Sequence, residues 1–169
     1  MDTALKETLI GGAEEYNDPK YFQEDPIIFP THFARSYRNG EATLADVEIS
    51  ALLASHLAWG RRAMIVRDCG RMLDEMCWRP YDYVMNGEYR NENASLHRTI
   101  KWSEFAAICT RMQKIYSEKG SLEGLTDQEI RTQIFGQKED RKAPNKKISM
   151  MRRWMVRDDG KVDLGLWKS

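Results

Sequence analysis

Lys146 and Lys147 open a short apolar stretch, Ile148 to Val156, that also carries Arg152 and Arg153 and is followed by Arg157. Cations at the first turn of a helix act together with the free backbone N–H groups there, and that combination seats a phosphate. Arg153 and Arg157 share a face at four-residue spacing. A lysine crowded by other cations gives up its proton more readily, which turns an amine into a nucleophile near neutral pH. The same residues also read as the wet face of a core helix, their long stems covering Met150, Met151, Trp154 and Met155.

Arg61 and Arg62 follow Gly60, at the start of a second amphipathic stretch. Two exposed cations in a first helical turn oppose the macrodipole, at about 0.3–1 kcal/mol each, unless an anion sits among them. That anion is either a carboxylate of the acidic N-terminal third, Asp25 or Glu24, or a nucleic-acid phosphate.

Other chemistries find less support. His32, His56 and His97 stand far apart with no second His or Cys at a ligand spacing, so they read as solvated or core-satisfied rings; neither a metal nor a cofactor is expected. Cys69, Cys77 and Cys109 lie in apolar runs and read as buried thiols of a reducing compartment, the cytoplasm. Gly11 and Gly12 lack the Lys and Ser/Thr of a phosphate loop. No stretch approaches the roughly 20 apolar residues of a membrane span, so no membrane partner is expected.

The formal net charge is zero, but it is graded along the chain. Residues 1–50 hold 4 Lys/Arg against 10 Asp/Glu (−6), residues 51–137 hold 12 against 11 (+1), and residues 138–169 hold 10 against 5 (+5). Attraction for a polyanion follows the local field, so a neutral total does not exclude one.

These residues have to be positioned by helices. Apolar spacing predicts helices over Ala4–Tyr16, His32–Arg38, Val47–Trp59 behind a Thr43/Asp46 cap, and Arg61–Met76. It predicts others from a Ser103 cap to Tyr116, from Thr126 with Glu129 to Ile134, and over Lys147–Arg157, with one turn at Tyr81–Met85. Pro26 and Pro30 predict an extended connector whose Ile27, Ile28 and Phe29 plug the core. No alternating run supports a sheet. The expectation is an all-α fold over residues 1–169 in one compact helical domain, with an acidic segment (1–42), a helical core (43–135), and a basic linker and final helix (136–169).

Several phrases carry a resemblance: Asp25 to Pro30, Leu57 to Arg62, Tyr116 to Leu122, Asn145 to Arg157, and Asp163 to Trp167. Together they resemble an uncharacterised bacterial, Bacteroides-type, conserved family of unknown function, itself distantly similar to the helix-hairpin-helix DNA glycosylases. The resemblance implies duplex DNA as partner and Lys146, with Lys147 one register away, as the amine that attacks the sugar C1′ of a flipped nucleotide. Arg61, Arg62, Arg152, Arg153 and Arg157 would then hold the DNA. Ala143, Pro144 and Asn145 stand where the glycosylases turn on glycines. Family members continue past the Leu166–Trp167 phrase to an aspartate. The resemblance therefore implies a C-terminally truncated chain, inactive as a glycosylase/lyase, with bare surface that invites homo-oligomers. The alternative is a helical interaction or scaffolding module without enzymatic activity, its basic tail pairing with the acidic N-terminal third.

Overall fold

A computed structural model describes residues 3–137; Lys146, Lys147, Arg152, Arg153 and Arg157, with the predicted final helix, lie outside the described residues. The described part is mainly helical. In order, α1 spans Thr3–Tyr16, a 3-10 turn Pro19–Phe22, α2 Ile28–Arg38, α3 Leu44–Leu57, α4 Arg62–Glu75 and α5 Pro80–Asn86. A hairpin of β1 (Ser95–His97) and β2 (Ile100–Lys101) then leads into α6 (Trp102–Lys119) and α7 (Asp127–Glu129), which runs on as a π-helical turn, Ile130–Ile134. Among the described residues, no helix is long and apolar enough to cross a membrane.

The core is organised around α3, which packs on α2, α4 and α5. Its Ile49, Leu53 and Leu57 are almost fully buried among Phe33 of α2, Leu73 of α4 and Val84 of α5. The predicted cap forms: Thr43 Oγ1 accepts the Asp46 N–H at 3.2 Å and the Asp46 carboxylate accepts the Thr43 N–H at 2.8 Å. The other Asp46 oxygen accepts the Tyr81 N–H at 2.9 Å, so one cap also ties down the start of α5. Two residues further on, Glu48 is buried yet satisfied by the Tyr116 hydroxyl (3.0 Å), the Ser121 hydroxyl (2.6 Å) and the Leu122 N–H (3.1 Å). Burial foremost, and the Glu48 charge next, push the Tyr116 phenol well up, so it stays a donor.

Four expectations are corrected. The Asp25–Pro30 connector is not extended: Asp25 accepts the Ile27 N–H at 3.0 Å and closes a turn from which α2 starts at Ile28. Pro30 lands in the first helical turn, where its missing N–H costs nothing. The small antiparallel hairpin contradicts the sheet-free reading, since strands of three and two residues are too short to display an alternating pattern. α6 begins at Trp102, ahead of the expected Ser103 cap, with the Lys101 N–H donating to the Glu104 carboxylate at 2.8 Å. Cys77 is exposed, because α4 ends at Glu75, two residues before it, and the chain turns with positive φ at Cys77 (51°) and Trp78 (53°). Cys69 and Cys109 are buried as expected, and burial pushes the Cys69 thiol up to about 12, which keeps it unreactive.

Candidate nucleic-acid interface

α3 ends at Leu57, two residues earlier than the apolar run suggests, and this releases Trp59 into a tight turn. The Trp59 N–H closes back on the Leu57 carbonyl at 2.7 Å, and Gly60 follows at φ 115°, a conformation open to glycine. A Cβ on Gly60 would also lie 2.7 Å from Nη1 of Arg98. Arg61 is extended and stands as the N-cap of α4 without a side-chain capping bond, and the first turn holds no acidic residue.

The turn is fastened from below by His97 of β1, which is fully buried. Its Nδ1 lies 2.8 Å from Asp68 Oδ2, and its Nε2 lies 3.0 Å from the Trp59 carbonyl oxygen. The Trp59 turn, the middle of α4 that follows it, and the hairpin 29 residues beyond Asp68 thus meet on one imidazole. Asp68 is itself 1% exposed and also takes Arg67 Nε at 2.8 Å and Arg71 Nη1 at 3.3 Å. Arg71 reaches on to the Leu96 and Ser95 carbonyls, both at 3.4 Å. Burial by itself pushes the Asp68 carboxyl up, but the hydrogen bonds and charges of Arg67 and His97 outweigh it and hold the group below the usual carboxylate range. Closed off from solvent, Asp68 and His97 serve as a clasp.

Above the clasp the surface is cationic and aromatic. Arg98, at φ 52° in the hairpin turn, lays its guanidinium 4.5 Å from the Trp59 ring centroid. Trp59 nevertheless remains 41% exposed. Arg62 extends into solvent with Nη2 3.8 Å from Asp25 Oδ2, a loose surface pair. Arg61 is exposed and makes no ion pair among the described residues. The turn, α4 and the hairpin turn carry five exposed arginines, Arg61, Arg62, Arg67, Arg71 and Arg98; Arg62 pairs with Asp25, and Arg67 and Arg71 pair with Asp68.

Of the residues predicted for binding, Arg61 and Arg62 therefore stand side by side at an open surface, with Asp25 as the neighbour of Arg62. Lys146, Lys147, Arg152, Arg153 and Arg157 lie outside the described residues. Sequence reasoning missed Trp59, Arg98 and the Asp68–His97 clasp. The one usable signal was Gly60, which breaks the helix directly after an aromatic residue. Among the described residues, no group of three or more His, Cys, Asp or Glu is gathered so as to hold a metal ion.

A protein family described as "Protein of unknown function (DUF2400)" matches residues 25–137 and 124–169. The chain belongs to that family. Every member of the arginine face and of the clasp falls inside the matched residues, whereas α1 precedes them. No curated protein and no solved structure matches the chain.

Proposed function

We propose that this DUF2400 protein binds nucleic acid through the arginine face around Trp59, as a distant relative of the helix-hairpin-helix DNA glycosylase/lyases. The observation that carries the reading is the clasp-held turn itself, an exposed tryptophan with the Arg98 guanidinium over its ring, followed directly by the exposed Arg61 and Arg62, with exposed Arg67 and Arg71 on the same helix paired to Asp68. Guanidiniums at an exposed surface attract phosphates and position a strand, and an exposed indole among them offers a base a face to meet. The amines Lys146 and Lys147 are the proposed nucleophiles toward a sugar C1′, and Arg152, Arg153 and Arg157 extend the phosphate contacts.

Fluorescence anisotropy with labelled single-stranded DNA and duplex DNA, the duplex intact or carrying an abasic site, tests the binding. Affinity that falls steeply with salt supports the reading, and absent or salt-insensitive binding refutes it. Borohydride trapping on abasic DNA tests the amine chemistry. A covalent adduct lost in Lys146→Ala or Lys147→Ala supports a lyase, and no adduct confines the function to binding.

A second reading rests on the Arg62–Asp25 pair. It makes the chain a helical interaction module in which acidic and basic segments of the same or another copy pair with each other. Such a module forms oligomers that dissociate with salt and ignores DNA.

A further inference from the structure

Trp59 is a costly residue to leave in water. An indole held at the surface beside cations offers a flat ligand a face to stack on. The other exposed tryptophan among the described residues is a useful contrast. Trp78, 40% exposed, packs against Phe29, Phe33 and His32 and donates its indole N–H to Asp74 at 2.9 Å, so its own neighbours employ it. Trp59 has only an edge contact with His97, centroids 5.7 Å apart, and the Arg98 guanidinium.

The presentation of Trp59 is also rigid. Its carbonyl is anchored to a fully buried imidazole, and its N–H closes a tight turn on the Leu57 carbonyl. Arg98, over the ring, is a non-glycine residue at φ 52°, with its carbonyl held by the Ser95 hydroxyl at 2.8 Å. Backbone strain of this kind persists only where the surroundings over-determine it. A planar, preorganised surface with cations beside it loses little entropy when a flat ligand joins the stack.

We infer that Trp59 and Arg98 form a stacking seat for an unstacked nucleobase, so the ligand of this face is a strand carrying at least one unpaired base. The inference rests on the nucleic-acid reading above and narrows it. Intact duplex offers phosphates to the arginines but no open base face to the indole. A single strand offers both, as does a duplex with a bulged nucleotide. Base–aromatic stacking tolerates sequence, so no preference among the four bases is required.

The test uses the full chain and four labelled DNA ligands: a mixed-sequence single strand, an intact duplex, a duplex with one bulged nucleotide, and a single strand of abasic spacers that keeps the phosphates and lacks bases. Trp59→Ala is expected to weaken the base-bearing single strand by roughly 5- to 150-fold. It should leave the spacer strand and the intact duplex within about twofold, and Trp59→Phe, which keeps a ring, should fall between Ala and wild type. The bulged duplex follows the single strand if a locally unpaired base suffices, and follows the intact duplex if a continuous single strand is needed; either result supports the seat and identifies its source. Equal losses on the base-bearing and spacer strands, or no loss on either, would overturn it. Failure of the wild-type protein to bind any of the four would instead overturn the nucleic-acid reading itself.

Discussion

Asp68 holds the candidate interface together. It receives the Arg67 and Arg71 guanidiniums and the ring of a fully buried His97, and through that ring it secures the Trp59 turn. Replacing it with Asn leaves the side chain's shape but removes the charge to which three donors point. Because His97 is buried while both arginines reach solvent, Asp68→Asn is expected to cost about 2–3 kcal/mol, less than the full loss of a wholly buried ion pair. Urea unfolding measures it. The pH dependence has a definite sign. The Asp68 carboxyl is held below its ordinary value of 3.8 in the folded chain, so its stabilisation is full above that pH and is lost as pH falls through the lower folded value. Wild type should therefore lose stability relative to Asp68→Asn on acidification below about pH 4. A difference between the two that stays constant from pH 6 down to about pH 2 would show that the carboxylate is not the group that matters.

At the scale of elements, legibility followed locality. Thr43 and Asp46 lie three residues apart, and their capping box forms as read, because both partners are fixed by one turn of helix. Gly40 and Gly120 likewise close α2 and α6 with positive φ, in the places where glycine signals the end of a helix. What escaped was non-local. Asp68 and His97 are 29 residues apart, and His97 sits on a three-residue strand that leaves no periodic trace. Glu48 looked like an ordinary charge in the first turns of α3, yet it binds donors 68 to 74 residues away. That carboxylate knits α3 to α6 and to the loop after it. Glu48→Ala is expected to destabilise by about 3 kcal/mol, since the Tyr116 hydroxyl and Leu122 N–H are left buried without an acceptor. Tyr116→Phe in the same background should then recover part of the loss by removing one orphaned donor, and a further loss instead would refute this account of the site.

Across the whole molecule, zero net charge conceals a separation of sign. The first 50 residues carry −6, and α1 among them buries none of its side chains and precedes the residues matched to the family. The arginine face belongs to the family-matched part, where the Trp59 turn, α4 and the hairpin converge on His97. Attraction of a polyanion to the arginine face depends on the local field there, not on the net charge, and salt screens it. The measurement that bears most directly on this account is the slope of log Kd against log salt for single-stranded DNA, compared between wild type and an Arg61→Ala, Arg62→Ala, Arg98→Ala triple variant. All three side chains are exposed at the face and lie outside the Asp68 clasp, so the fold should survive their loss. The account predicts a slope shallower by about 2 for the variant, near 0.7 for each phosphate that is no longer neutralised. An unchanged slope, with wild type and variant binding alike at every salt concentration, would contradict it.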